Sequence, residues 1–313
     1  IQINASGEQL AGLCIVLNYT ILMETTLLPG PRCDWLVVGS NGAVGSELTR
    51  ALLRSSYIDD SRPVDMRVHP RDSYAEASLD LVRSRSSCHP LRLVFCAGKG
   101  GFSLAQASAE QQYRAFDKFC RLLAPSVGID KFVLVSSLGA HCSRLGVPYS
   151  QLVRSNEEAV LANFGERALI LRFPSLYGYH DRAKRYHGLI GVILRNLKIR
   201  RSTGIYARLE TRRNYLSIRR LATLLVRDRP GGALLEVNGY LNILSSINLS
   251  VFDVCSSFFR AVRQRPVLKL VEHSLVDAEH HYPDSVHGAR IIVNDPIAEW
   301  VSWQWNRAVH LSP

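Results

Sequence analysis

The stretch Trp35-Leu36-Val37-Val38-Gly39-Ser40-Asn41-Gly42-Ala43-Val44-Gly45-Ser46-Glu47-Leu48 constrains this chain more than any other. A short apolar run passes through three evenly spaced glycines into a segment with apolar residues at helical spacing. That order describes a buried strand turning directly into a helix. Gly39 permits the tight turn, Gly42 lets backbone approach a pyrophosphate, and Gly45 allows close packing of helix on sheet. Asn41, Ala43 and Val44 complete a loop at the helix N-terminus, the end that faces an anion. A bare structural turn is the competing reading; the strand before and the amphipathic helix after favour a dinucleotide site.

The same rhythm runs on. Strands are expected at Trp35–Val38, Asp65–Val68, Leu91–Cys96, Lys131–Ser136 and Ala168–Arg172, and helices at Val44–Ser55, Gln106–Leu123 and about Ser150–Phe164. Alternating strands and helices predict an α/β fold: a doubly wound parallel sheet of the Rossmann kind, with ligand at the carboxyl ends of the strands. After Tyr179 the pattern changes to basic stretches, a Pro230-Gly231-Gly232 break, a helix near Phe252–Arg263 and a His-rich tail. Trp300, Trp303 and Trp305 at the end read as packing residues. The expected division is residues 1–32 as an N-terminal extension of uncertain role, 33–179 as the dinucleotide-binding domain, and 180–313 mainly as a smaller C-terminal substrate lobe, with some segments returning to the first domain. The first methionine is Met23, so a start placed too far upstream or a fragment boundary accounts for the opening residues, which stay outside the fold expectation.

With 313 residues, 47% of them hydrophobic, the chain can bury a sizeable core. Its net charge of +11 favours anionic ligands, but the arginines are scattered in ones, twos and threes, with no basic helix or RNA-binding motif, so no nucleic-acid partner is expected. The seven cysteines form no Cys-x-x-Cys pair, and no histidine cluster has metal-ligand spacing, so the expectation is reduced thiols in a cytoplasmic protein without a metal. The apolar run Leu10–Leu22 is interrupted by Asn18 and is shorter than the ~20 residues a membrane span needs, so neither a membrane partner nor a signal peptide is expected.

The Gly-x-x-Gly-x-x-Gly spacing resembles the extended and atypical branches of the short-chain dehydrogenase/reductase superfamily, and the order of later segments is similar too. Val94-Phe95-Cys96-Ala97-Gly98 resembles the fourth strand, which implies that Ala97 and Gly98 lie against the adenosine side of the cofactor. Phe132-Val133-Leu134-Val135-Ser136-Ser137-Leu138-Gly139-Ala140 resembles the fifth strand, which implies that Ser136 or Ser137 is the active-site serine. Tyr149 stands 13 residues after Ser136 and 12 after Ser137, where the family has its proton-transferring tyrosine. A helix-start tyrosine with its hydroxyl in water is the alternative. Glu157-Glu158-Ala159-Val160 and Leu169 to Gly178 are also similar to the family, which implies cofactor contacts for Pro174 and Ser175.

One departure matters. The family motif is Tyr-x-x-x-Lys, and Val153 occupies the lysine position, so neither a charge that lowers the tyrosine pKa nor a ribose ligand is supplied there. Arg154 is adjacent but rotated about 100° around a helix, unless the helix starts irregularly and Ser150 and Arg154 take the two motif positions. The cofactor is NADP or NAD: Arg71, after the second strand, would pair with a 2′-phosphate, Asp72 would take ribose hydroxyls, and both also read as solvated loop charges. Arg213-Asn214-Tyr215-Leu216-Ser217-Ile218 resembles the Arg-Asp-Tyr-x-x-Val stretch of the extended branch, which implies a substrate role for Arg213, although Arg219 and Arg220 stand where acidic residues are usual. The resemblance implies an NAD(P)-binding protein of the nucleotide-sugar epimerase, dehydratase or 4-keto reductase kind. The alternative is a sensor of the atypical branch that binds NADP without turning it over. A small-molecule substrate such as a nucleotide sugar is expected, and a homodimer stays open.

Overall fold

The computed structural model describes residues 14–16, 34–54, 64–66, 90–98, 104–126, 128–138, 141, 148–180, 185–205, 208–227, 235–271 and 288–306. Arg71, Asp72, Gly139, Ala140 and the break at 230–232 lie outside them. The strands in chain order are β1 Cys14–Val16, β2 Asp34–Val38, β3 Val64–Met66, β4 Leu91–Phe95, β5 Ile129–Ser137, β6 Ala168–Phe173, β7 Ser175–His180, β8 Arg185–His187, β9 Thr203–Ile205, β10 Arg213–Ser217, β11 Gly239–Ser245, β12 Asn248–Leu249, β13 Leu268–Leu270 and β14 Ala289–Val293. The helices are α1 Ala43–Arg54, α2 Gln106–Leu123, α3 Pro148–Phe164, α4 Gly188–Lys198, α5 Ile218–Arg227, α6 Val251–Val262 and α7 Ile297–Asn306.

Eight strands build one sheet in the order β1-β14-β11-β6-β5-β4-β2-β3, with every neighbouring pair parallel. This is a doubly wound Rossmann sheet. Both of its faces are dry, and the strands show it with period two. Leu36 and Val38 of β2, Leu93 and Phe95 of β4, and Phe132 and Leu134 of β5 point to one face, under Phe116, Phe119 and Leu123 of α2 and Val160 and Phe164 of α3. Trp35, Val37, Val94 and Val133 point to the other, under Leu48 and Leu52 of α1 and Leu221 and Leu225 of α5. Phe132 stacks on Phe164 with ring centroids 4.4 Å apart, which locks α3 to the middle of the sheet.

The strands expected from sequence are present, with ends that differ by at most two residues; Arg67 and Val68 of the second lie outside the described residues. Periodicity did not reveal β14, α7 or the three-residue strand β1, which pairs with β14 from within the segment left outside the fold expectation. Strands β11 and β14, although late in the chain, add to the main sheet beside β6.

A second, four-stranded sheet has the order β12-β10-β7-β8. Tyr177, Tyr186 and Tyr215 from it pack against Ile190, Ile193 and Leu194 of α4, Val254 and Phe258 of α6, and Trp300 of α7. Trp300 meets Tyr177 edge-on at 5.0 Å, in the packing role expected of it. Helix α6 opens with a capping box in which Ser250 and Asp253 satisfy each other's backbone N–H groups. Asp295, just beyond β14, accepts from the Ser217 backbone N–H at 2.5 Å and from the Tyr177 hydroxyl at 3.1 Å, so one carboxylate ties the end of the main sheet to the second sheet. No helix among the described residues is long and apolar enough to cross a membrane.

Candidate functional site

Because the main sheet is parallel, its carboxyl ends share one edge, and the chemistry-bearing residues collect there. Strand β2 lies between β3 and β4, so the loops after β2 and β4 diverge at the point where the winding reverses. Gly39 has φ +88°, a left-handed conformation that disfavours side chains, and a Cβ there would sit 2.7 Å from the Ala97 backbone nitrogen. The two loop starts are therefore in contact. Gly45 serves a different purpose: a Cβ on it would lie 2.3 Å from the Gly39 carbonyl oxygen, so only glycine lets α1 approach the turn this closely.

Gly42 is exposed, and its added Cβ would meet only the Gly39 oxygen, at 3.2 Å. Its N–H donates to that oxygen at 2.8 Å, which shapes the loop, and Asn41 beside it is also exposed. Helix α1 carries no acidic residue in its first turn, so the N–H groups that open it, at Ala43 and Val44, present a positive end. A backbone cradle that a side chain would fill, at a helix N-terminus with no acidic residue in its first turn, fits a dinucleotide pyrophosphate. Ala97 and Gly98, the latter at φ +128°, border it from β4.

Two segments away, β5 ends in the serine pair, and the structure separates the two hydroxyls. Ser137 shares a hydrogen bond with the phenol of Tyr149, in the first turn of α3. Ser136 donates instead to the Glu157 carboxylate. Helix α3 begins at Pro148; Tyr149 in its first turn is half-buried and Ser150 is buried. Ser137 is thus the serine that acts on the Tyr149 phenol. Val153, one turn along, lies on nearly the same helix face as Tyr149. Leu138 N–H donates to the Phe173 carbonyl at 2.8 Å, which holds the end of β5 against the turn at Pro174 and Ser175.

Beneath this pair sits a charge cluster that sequence reasoning passed over. Glu157 is 1% exposed and Arg172 4%. Arg172 donates to Glu157 from Nη2 at 2.7 Å and from Nε at 3.1 and 3.2 Å to its two oxygens. His141 Nε2 lies 3.2 and 3.1 Å from the same oxygens, and the Arg172 guanidinium stacks 3.8 Å from the Tyr240 ring centroid. Burial by itself raises the pKa of Glu157, but the hydrogen bonds and positive charges of His141 and Arg172 outweigh it and hold the carboxyl below its ordinary value. An ionised carboxylate only accepts, so His141 carries its proton on Nε2. Burial raises the pKa of Tyr149, the hydrogen bond from Ser137 opposes this, and the charge of Glu157 adds to the rise. Arg213, expected to meet substrate, is half-buried at the start of β10 in the second sheet.

No protein-family model matches the sequence, and no curated protein matches it. Solved structures do. UDP-glucuronic acid 4-epimerase from Bacillus cereus in complex with NAD superposes with a TM-score of 0.64 at 13% identity, covering 89% of this chain and 100% of the epimerase. UDP-glucose 4-epimerase from Thermotoga maritima with UDP-glucose gives 0.61 at 14%, covering 87% and 98%. The chain has the fold of the nucleotide-sugar epimerases. A third match, TunA, an NAD-dependent NDP-hexosamine 5,6-dehydratase involved in tunicamycin biosynthesis, gives 0.61 at 18%, covering 88% and 99%. The likeness therefore extends over most of this chain and not the glycine loop alone.

Proposed function

We propose that this protein binds NAD or NADP at the Gly39–Gly45 loop and handles a nucleotide-sugar-like substrate against the Ser137–Tyr149 pair. The observation that carries the reading is that the glycine loop, the Ala97–Gly98 turn and the hydrogen-bonded Ser137 and Tyr149 all stand at the carboxyl edge of one parallel sheet. The neighbours in complex with NAD, with UDP-glucose, or named as NAD-dependent support that choice of ligands. The dinucleotide supplies hydride chemistry when bound; the chain's own part is to hold it, orient the substrate oxygen through Ser137, and pass a proton at the Tyr149 oxygen. Arg213 and the second sheet are the proposed substrate contacts, and the thiols of Cys96, Cys120 and Cys255, all free, fit a cytoplasmic protein. Titration of the purified protein with NADH and NADPH, followed by nucleotide fluorescence, tests the reading. Saturation is expected; absence of binding at millimolar concentration refutes it.

A second reading is favoured by Val153, which removes the cation that activates the family's tyrosine: the protein binds a dinucleotide as a sensor and turns nothing over. Turnover of 4-keto nucleotide sugars by wild type and by Val153→Lys separates the two. Wild-type rates of roughly 1 per second or more exclude the sensor.

A further inference from the structure

Among the described residues, two that are not glycine have a left-handed backbone: Arg200 at φ +55° and Arg263 at φ +57°. Both end helices. Arg200 follows α4, where its N–H donates to the Leu197 carbonyl at 3.2 Å and the Arg201 N–H donates to the Asn196 carbonyl at 2.8 Å. Arg263 caps α6, with its N–H on the Phe259 carbonyl at 2.9 Å. Glycine takes this conformation without steric cost and is the usual residue at such ends, so arginine stands twice where helix termination alone favours glycine. The helix dipole does not call for these arginines either, because the last turns already hold Arg195 and Lys198 in α4 and Arg260 in α6.

The two helix ends meet. Strands β9 and β13 run parallel with Thr203 opposite Leu268, and the Thr203 N–H donates to the Val267 carbonyl at 2.8 Å. The residues leading into each strand therefore share one end of the pair: Arg200 and Arg201 before β9, Arg263 and Arg265 before β13. All four are exposed, and neither residues 185–205 nor residues 256–271 contain an aspartate or glutamate. Like charges gathered without a carboxylate repel one another, and an anionic partner removes that cost, whereas a second copy of this face would add to it. Apolar rings flank the arginines. Along α6, Phe252, Phe259 and Arg263 lie within about 40° of one another, and Phe252 is 68% exposed and Phe259 38%. Arg265 stacks over the Phe259 ring, 5.0 Å from its centroid, and so occupies a ring face that a nucleic-acid base would need.

We propose that this arginine cluster and the Phe252–Phe259 stripe dock the protein on an anionic lipid surface, with the guanidinium groups on headgroup phosphates and the phenyl rings in the interface. Charge alone would suit any polyanion; the exposed rings beside it favour a bilayer. Contact of this kind lies along the surface and needs no spanning helix.

Cosedimentation of the full chain with phosphatidylcholine vesicles, with and without phosphatidylglycerol, tests the proposal. Partitioning is expected to be about tenfold stronger or more onto the anionic vesicles. Arg200→Gly combined with Arg263→Gly should weaken it about tenfold or more while Tm holds or rises, because glycine relieves both left-handed positions. Arg114→Gln with Lys118→Gln, which removes two exposed charges from α2, should weaken it less than about threefold. Phe252→Ser, at unchanged charge, should weaken it about threefold or more. Equal partitioning onto both kinds of vesicle, an equal loss in the α2 variant, an unaffected Phe252→Ser variant or a lowered Tm in the glycine variant overturns the proposal. So does a single-stranded RNA that binds more tightly than the anionic vesicles and loses that binding in the glycine variant, which would assign the surface to nucleic acid.

Discussion

Ser136 and Ser137, neighbours at the end of β5, commit their hydroxyls to different partners: Ser136 to the buried Glu157 carboxylate, Ser137 to the Tyr149 phenol. One serine therefore belongs to the structure beneath the site and the other to the site itself. Ser136→Ala removes a donor from a charged, buried acceptor and should lower stability by about 1.5–3 kcal/mol. Ser137→Ala should cost about 1 kcal/mol or less but alter the Tyr149 resonance. Thermal unfolding together with tyrosine NMR checks the split, and the reverse pattern would contradict it.

The three glycines of the loop should fail in different ways. Gly45→Ala drives a methyl group into the Gly39 backbone, and Gly39→Ala adds a contact with Ala97 to a left-handed φ. Each should destabilise the fold by about 1–3 kcal/mol or more, seen as a lower Tm. At Gly42 the one such contact is looser, 3.2 Å to the Gly39 oxygen, and Gly42→Ala should lower Tm far less.

Breaking the Glu157–Arg172 pair should be severe. Glu157→Gln leaves the guanidinium of Arg172 buried without a counter-charge, a loss of about 3–5 kcal/mol, whereas replacing both residues by apolar ones of similar volume should recover much of it. Since the folded pKa of Glu157 lies below its unfolded value, its contribution is present above about pH 4.3 and is lost as pH falls through the folded value. Urea unfolding of wild type and Glu157→Gln at a series of acidic pH values should show the two stabilities converging; a gap that stays constant would rule this out.

Lys131 is a buried cation at the opposite edge of the sheet, where its Nζ donates to Asn238 Oδ1 at 2.6 Å. Burial lowers its pKa, with Arg92 adding to the drop against Asp130 and Glu236. Lys131→Met should be neutral or stabilising at pH 7, within about 1–2 kcal/mol. The sign with pH follows from the depressed value: wild type gains stability as pH rises through the folded pKa toward about 10.4, because the unfolded chain still holds the proton. The advantage of the variant should therefore shrink in alkali, as measured by chemical denaturation.

Most of the first half was legible because its signals are local. Apolar runs of four to six residues and the 3.6-residue spacing of α2 report burial directly, and glycine spacing reports a turn. What stayed hidden depends on distant partners. The residues Ala289–Val293 form a strand because β11 offers an edge, not because of their own pattern, and Cys14–Val16 follows in turn. Glu157 and Arg172 were visible as residues similar to a family, but nothing local says that charges 15 residues apart meet in the core. Likewise the choice between Ser136 and Ser137 depends on which way each hydroxyl turns at a strand end, which α3 decides by presenting Glu157 to one and Tyr149 to the other.

The central claim is that the exposed cradle at Gly42 holds a dinucleotide, and the most direct measurement is a calorimetric or fluorescence titration of wild type and Gly42→Val with NAD and NADP. A Cβ there meets only the Gly39 oxygen, at 3.2 Å, so the fold should survive, as circular dichroism can verify, while a branched side chain fills the space needed by the phosphates. Saturable binding by wild type with at least a tenfold loss of affinity, about 1.4 kcal/mol, in the folded variant is the predicted result. Undiminished affinity in folded Gly42→Val, or no binding of either dinucleotide to wild type, would contradict the account.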